Sequence, residues 1–248
     1  MKSLKMTRLH IHYIFGKVTA IIILAVLFIF LMIFLFSSRA FEETSIQDLN
    51  RIESKVEYFH TMILAVKMLT TLVVCYLYGF NFLKHNDNYH VFCLSKNISK
   101  GKYFVSKALS ISIIFFLIVG IIMILYFAVG LICTPWFQVT RSEIYFFILI
   151  YIQGVIYGLL TSFLTIILNS LYVGLISYGI FIINEIIIES VSSQQDLNLG
   201  VIIMRFVFPT TIITSTDIFL LYGVIQAIIV IIFQLYITGT FFKIKDLG

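Results

Sequence analysis

The sequence predicts an all-α polytopic membrane protein, and three observations lead to that prediction. Of the 248 residues, 60% are hydrophobic and only 12% are charged, whereas soluble domains carry roughly 25% charged residues. The mean hydropathy is +1.06. Six apolar stretches are each long enough, or nearly so, to cross a bilayer, which takes about 20 helical residues. We therefore expect residues 1–248 to form a single transmembrane domain with six membrane-spanning helices.

The six predicted spans follow one another with short connections. They cover approximately residues 18–36, 61–83, 108–132, 144–168, 173–188 and 218–238. The fifth is the shortest, and it has two polar residues, Asn184 and Glu185, near its end. Residues 169–172 predict a tight turn between the fourth and fifth helices. The connection 37–60 is polar and mixed in charge, with a weak helical pattern of apolar residues in its later half.

The first segment, residues 1–17, is basic and contains no acidic residue. Its apolar residues recur at helical spacing, which predicts an interfacial helix on the cytosolic surface before the first span. A basic unstructured tail is the alternative. His10 and His12 in this segment have no partner cluster, so the sequence gives no metal site here.

The connection before the last span is also unusual. Within residues 189–217 a polar run is followed by the short apolar segment 201–208, which contains Arg205 and precedes Pro209. A segment of that length cannot cross a bilayer. Since backbone groups at membrane depth must be hydrogen-bonded or shielded, short external re-entrant or interfacial half-helices are expected.

The distribution of Lys and Arg predicts the orientation. With both termini in the cytosol, 11 of the 17 basic residues lie on the cytosolic side, five lie outside, and Lys67 falls within the second span. This bias agrees with the positive-inside rule. The net charge of +5 is thus distributed by membrane side, and no nucleic-acid partner is expected. Three scattered cysteines with no metal or redox spacing are compatible with a bacterial plasma membrane.

A basic, polar island at residues 94–107 separates the second and third spans. Four lysines occur there with no carboxylate, and apolar residues are interleaved with them. This pattern predicts a short amphipathic helix at the membrane surface. A loop that only fixes the topology is the alternative from composition.

Residues 97–107, read Asn-Ile-Ser-Lys-Gly-Lys-Tyr-Phe-Val-Ser-Lys, resemble a loop motif of type-two ABC export permeases. That motif runs roughly Pro-Ile-Ser-Arg-x-x-Tyr-hydrophobic-hydrophobic-Gly-Lys between the second and third spans. This chain departs from it with Asn97 for proline, Lys100 for arginine and Ser106 for glycine. A lysine cannot make the bidentate contact of an arginine. The external helices expected between the fifth and sixth spans are similar to those of the same family.

The resemblance implies that the cytosolic loop 84–107 holds a coupling helix, which docks into a cytosolic ATPase subunit. The implied contact residues are Asn97, Ile98, Ser99, Lys100, Gly101, Lys102, Tyr103 and Lys107. It also implies two copies of the ATPase, which would bind ATP and Mg, and a second permease subunit that completes a dimer. The preferred cargo is a hydrophobic or amphipathic peptide, as in the similar permeases that export bacteriocins, lantibiotics or phenol-soluble modulins for secretion or self-immunity; drugs and lipids are the alternatives.

No chemistry is predicted in the chain itself. It lacks the Gly-x-x-x-x-Gly-Lys-[Ser/Thr] and His-Glu-x-x-His patterns of nucleotide-binding loops and of metalloproteases. We therefore expect no catalytic residue, no cofactor and no metal, and the chain is not predicted to be an enzyme. If transport is driven by ATP, the ATPase is a separate chain.

Four ionisable residues are candidates for a role within or near the membrane, namely Lys67, Glu185, Glu189 and Arg205. Charges within spans are costly and are therefore functional hypotheses by default. Glu185 and Glu189 share one helix face, and we expect Lys67 to pair with one of them; snorkelling of Lys67 to the interface is the alternative. A charge relay would favour a secondary transporter, and an anchor or sensor without a pathway is a further alternative function.

Small residues also recur in the spans. Gly154 and Gly158 are four residues apart in the fourth span, a spacing that lets a neighbouring element approach closely. The neighbour could belong to a second subunit or to the same chain, and the sequence does not distinguish the two.

Overall fold

The computed structural model describes residues 17–47, 51–83, 99–133, 141–192 and 217–244, together with residues 7, 10, 11 and 14. Within these ranges the chain is helical apart from short turns. The six helices are α1 (Lys17–Gln47), α2 (Arg51–Phe82), α3 (Lys100–Cys133), α4 (Arg141–Leu168), α5 (Val173–Ser192) and α6 (Asp217–Ile244). Each corresponds to one of the six stretches that the sequence predicts, and most of them are longer.

Four of these helices are long and apolar enough to cross a membrane. The apolar windows are Leu64–Phe82 in α2, Lys100–Ile132 in α3, Glu143–Leu168 in α4 and Val224–Ile244 in α6. The apolar parts of α1 and α5, Ala20–Phe36 and Val173–Ile186, are shorter. The fold therefore agrees with a helical membrane protein, while six complete spans remain a prediction.

Two boundaries differ from the sequence prediction. Most of the connection 37–60 is helical, because α1 continues to Gln47 and α2 begins at Arg51. That stretch contains neither proline nor glycine, so nothing in it interrupts a helix. The third helix begins at Lys100 rather than near Ala108. Residues 100–107 are therefore the first two turns of α3 and continue into it without a break; residues 84–98 lie outside the described residues, so the predicted surface helix over 94–107 is only partly described.

The predicted tight turn at residues 169–172 is confirmed. Asn169 has a φ of 47°, a left-handed conformation that asparagine tolerates better than most residues. Its N–H donates to the carbonyl of Thr165 at 2.8 Å, which completes the end of α4. The N–H of Tyr172 donates to Oγ of Ser170 at 3.3 Å. Four residues thus reverse the chain between α4 and α5.

The centre of the bundle is formed by α2 and α4, which pack against each other; α2 also contacts α1, α3 and α5, and α4 also contacts α3, α5 and α6. The glycines of α4 create space for this packing. A Cβ atom at Gly158 would lie 2.5 Å from Cδ2 of Tyr78 on α2, and one at Gly154 would clash with Phe115 on α3. The neighbours of both glycines therefore belong to the same chain. Tyr78 itself is buried, and its hydroxyl lies 2.7 Å from Oγ of Ser112.

Candidate functional site

The first candidate site joins three helices through one carboxylate. Lys67 on α2 forms an ion pair with Glu185 on α5. Nε2 of Gln153 on α4 donates to the other oxygen of the same carboxylate at 3.0 Å. Only 13% of the Lys67 side chain and 14% of the Glu185 side chain are exposed. Glu185 is therefore held from two sides by two different helices.

The polar contacts continue next to this ion pair. Nδ2 of Asn184 donates to the hydroxyl of Tyr157 on α4 at 3.1 Å, and that hydroxyl is close enough to Glu185 to interact with it electrostatically. Among the residues that the structure describes, no group hydrogen-bonds Oδ1 of Asn184, although this side chain is only 1% exposed. We call Lys67, Gln153, Tyr157, Asn184 and Glu185 the Lys67 cluster.

The Lys67 cluster is expensive to place in a membrane helix bundle. A charged side chain within a membrane helix is costly, up to roughly 2.5–3.5 kcal/mol, which is the value on insertion scales for the helix centre. A buried ion pair frequently contributes no more to stability than apolar residues of the same volume would. Packing alone therefore does not explain why α2, α4 and α5 carry these groups at one level. The cluster is a candidate for a functional role.

The structure brings together some of the predicted intramembrane residues and not others. Lys67 pairs with Glu185, one of the two acids that the sequence offers as its partner. Glu189 lies in α5, but its side chain is outside the described part, and so is the whole of Arg205. Sequence reasoning missed Gln153. The available signal was a lone amide in the otherwise apolar middle of the fourth span.

The second candidate site lies at the C-terminal end of α2, around the first turns of α3. Tyr103, Ser106 and Lys107 on α3 are all less than 5% exposed. The rings of His10 and Tyr103 meet edge to face at 5.0 Å, and Tyr103 stacks on Phe242 of α6 at 6.2 Å. These five residues together with Thr7 form what we call the Tyr103 cluster.

Hydrogen bonds and ring contacts connect the Tyr103 cluster to three other elements. The hydroxyls of Thr7 and Ser106 are 3.2 Å apart, and Oγ of Ser110 donates to the carbonyl of Thr7 at 3.1 Å. Nζ of Lys107 lies 5.1 Å from the centre of the Phe82 ring on α2, a distance at which a cation is attracted to a ring face. The start of α3 is thus packed against N-terminal helical residues, α2 and α6.

The residues that resemble the coupling motif divide into two groups. Ser99 and Lys102 are exposed, and Lys100 and Gly101 are partly exposed. Tyr103 and Lys107 are buried in the Tyr103 cluster. Asn97 and Ile98 lie outside the described residues. The exposed group is available to a partner, whereas the buried group connects the motif to the helix bundle.

An apolar cleft of about 380 Å³ lies between α1, α2 and the start of α5. It is lined by residues such as Val26, Leu72, Tyr76 and Leu175. By helical spacing Tyr76 and Lys67 lie on opposite faces of α2, since nine residues correspond to two and a half turns. The cleft and the Lys67 cluster are therefore separate features.

Within the described ranges, no three His, Cys, Asp or Glu side chains lie close enough together to hold a metal ion. No protein-family model matches the chain, and no curated protein is significantly similar to it. The two clusters and the fold that positions them are therefore the basis for the proposals that follow.

Proposed function

We propose that this chain is the membrane-spanning subunit of an ATP-driven exporter similar to type-two ABC export permeases, with a hydrophobic or amphipathic peptide as cargo. In this proposal the subunit works as a dimer with two copies of a separate cytosolic ATPase in a bacterial plasma membrane. Its own termini are cytosolic, and ATP and Mg bind to the ATPase. The N-terminal segment, the coupling segment and the external half-helices have the roles that the resemblance implies.

The observation that supports this proposal is the packing of residues 100–107. A loop that only fixes topology needs no buried contacts. Here the segment continues into α3 without a break, and its buried side chains contact His10 and Phe242. A force applied by a partner to the exposed Lys102 would therefore reach α3, α6 and the N-terminal helical residues together. Rigid-body transmission of this kind is a common way to couple two domains.

The first experiment is purification of the tagged protein from its native membranes in a mild detergent. We expect an ATPase with a nucleotide-binding loop to co-purify in a stoichiometric amount and to show vanadate-sensitive ATP hydrolysis. Recovery of the chain alone in several detergents would argue against the exporter and in favour of the alternatives.

The second experiment tests the coupling segment. Charge reversal at Lys100→Glu and Lys102→Glu is expected to uncouple ATP hydrolysis from transport while insertion into the membrane is unchanged. Arg141→Glu is the matched control, because Arg141 is an exposed basic residue at the first turn of α4, on the side predicted to face outside. Full transport by the double variant would refute the coupling role.

The Lys67 cluster favours a second candidate, a secondary transporter driven by a proton gradient. Paired ionisable groups on facing helices are typical of proton relays in such transporters. If the chain is a secondary transporter, we expect transport to follow the proton gradient and to persist without ATP. We also expect transport to fall when Lys67 or Glu185 is replaced by a neutral residue. Transport that requires ATP and is insensitive to an uncoupler would exclude it.

A further inference from the structure

The carboxylate in the Lys67 cluster is positioned independently of the lysine that neutralises it. Glu185 belongs to α5 and is fixed by the amide of Gln153 from α4. Lys67 comes from a third helix, α2, and holds its ammonium group on a flexible four-carbon stem. If that ammonium group left, the carboxylate would keep one of its two hydrogen-bond donors and its position on α5.

The cluster also has more acceptors than the lysine uses. An ammonium group has three N–H donors, and among the described residues the ammonium group of Lys67 has one partner, the carboxylate of Glu185. Oδ1 of Asn184 has no hydrogen-bond partner among the described residues. It lies beside Glu185 in the chain and is joined to the same cluster through Tyr157. The site therefore suits a cation with several N–H donors.

The position of the ion pair makes exchange of this cation feasible. Lys67 lies six residues inside the predicted second span, 61–83, which is about 9 Å along the helix axis. Glu185 lies three residues before the end of the predicted fifth span, 173–188. A lysine this close to the end of an apolar segment can extend its charge to the interface, whereas the shorter glutamate cannot.

We propose that Glu185 is an exchange site for a protonated amine, and that Lys67 occupies this site in the absence of cargo. The ligand class is an amphiphile with a primary ammonium group, such as a lysine side chain of an amphipathic peptide. On binding, the incoming N–H groups take the place of the Lys67 ammonium, and Lys67 moves toward the interface, so the carboxylate stays neutralised throughout. The role of this site in export depends on the proposed function, but the binding of an amine does not.

The test uses the purified full-length protein and n-octylamine as the probe, with n-octanol and octanoate as matched controls. The thermal midpoint is measured against probe concentration, because a ligand that binds the folded state raises it in a saturable way. We expect octylamine to raise the midpoint of the unmodified protein and the two controls to have no saturable effect. A response to octanol equal to that of octylamine would show simple partitioning and would overturn the proposal.

Two variants localise the binding. Glu185→Gln is expected to weaken octylamine binding by about tenfold or more, since a charge-assisted contact is lost while the side-chain shape is kept. Lys67→Met is expected to strengthen it, because no internal ammonium competes. If the Glu185→Gln variant binds octylamine as tightly as the unmodified protein does, the proposal is overturned. It is also overturned if the Lys67→Met variant binds octylamine and the unmodified protein does not. If the Lys67→Met variant does not fold, the comparison of the Glu185→Gln variant with the unmodified protein decides whether Glu185 binds the amine.

These outcomes are separate from those for the exporter. Absence of an ATPase partner would refute the proposed function and leave amine binding as measured. If the protein supports vanadate-sensitive, coupled transport but does not bind octylamine, only the exchange site is refuted.

Discussion

The ion pair between Lys67 and Glu185 allows a prediction about stability that depends on which partner is removed. Lys67→Met leaves a carboxylate without a cation in the bundle. Glu185→Gln leaves an ammonium group that can still contact the new amide or extend to the interface. Both replacements keep nearly the original side-chain volume, so the effects report charge rather than packing. The two single variants are therefore expected to lower the free energy of unfolding by different amounts, although they break the same contact.

The structure gives an approximate magnitude for each change. Removing one partner of a buried ion pair typically costs about 3–5 kcal/mol. Because the carboxylate keeps its bond from Gln153 at 3.0 Å, we expect Lys67→Met to lower the free energy of unfolding by about 2–3 kcal/mol. Glu185→Gln should cost about 1 kcal/mol, the net value of one hydrogen bond. The double variant buries no charge and should cost at most about 1 kcal/mol, since apolar or neutral replacements of a buried pair are often tolerated.

The assay is a double-mutant cycle on the protein in detergent micelles, with unfolding followed by circular dichroism against denaturant. We expect a coupling energy of about 2 kcal/mol between the two positions, well above the average of about 0.6 kcal/mol for side-chain hydrogen bonds in a membrane protein. Arg141→Met, a change at an exposed residue in the first turn of α4, is the control and should stay within about 0.5 kcal/mol. Additive effects, or a larger cost for Glu185→Gln than for Lys67→Met, would refute the reasoning.

Three further predictions test the helix packing. Gly158→Ala places a methyl group 2.5 Å from a buried tyrosine ring and should lower the free energy of unfolding by about 1–3 kcal/mol; Gly179→Ala, with no atom within 4 Å, should be neutral or stabilising by up to about 1 kcal/mol. Equal effects of these two variants in denaturant unfolding would contradict the packing described here. Asn169→Val, at a φ of 47°, should cost about 1–2 kcal/mol in the same assay, whereas Asn169→Gly should be tolerated. Thr7→Cys combined with Ser106→Cys should form a disulfide under mild oxidation, because the native hydroxyls are 3.2 Å apart; mass spectrometry of linked peptides measures this, with each single variant as control, and failure to link would contradict the placement of the N-terminal helical residues.

The helical fold was predictable from the sequence because apolar stretches of about 20 residues allow few alternatives. The turn at residues 169–172 was predictable because it is only four residues long and joins two apolar segments. The full lengths of α1 and α2 were not predictable from the sequence. Their polar ends lack the apolar pattern that marks a span, yet they also lack the residues that end a helix. Polarity was therefore a poor guide to the helix boundaries in residues 37–60.

The candidate site was predictable only in part, for a similar reason. Lys67 and Glu185 stand out as charges within or near spans, and a shared level in the bundle follows from the topology. Gln153 is a lone amide in the apolar middle of a span, but its position alone does not indicate its partner, and Tyr157 is one of 14 tyrosines in the chain. Their role depends on which face of α4 meets α5, and six similar helices give that pairing no clear signature in one sequence. The packing of Tyr103 against His10 and Phe242 was invisible for the same reason.

Helix α2 links the two candidate sites, because Lys67 belongs to it and Lys107 of the Tyr103 cluster contacts it. Phe82 contacts the Tyr103 cluster through Lys107, and Lys67 lies 15 residues earlier in the same unbroken helix, which is about 22 Å along the axis. A helix that is packed on four neighbours moves largely as a rigid body. We therefore expect a displacement at residues 100–107 to change the fit between Lys67 and Glu185. In the proposed exporter this arrangement would connect the coupling segment to the amine site without a separate mechanism, because α2 contacts Lys107 at its end and carries Lys67 near its middle.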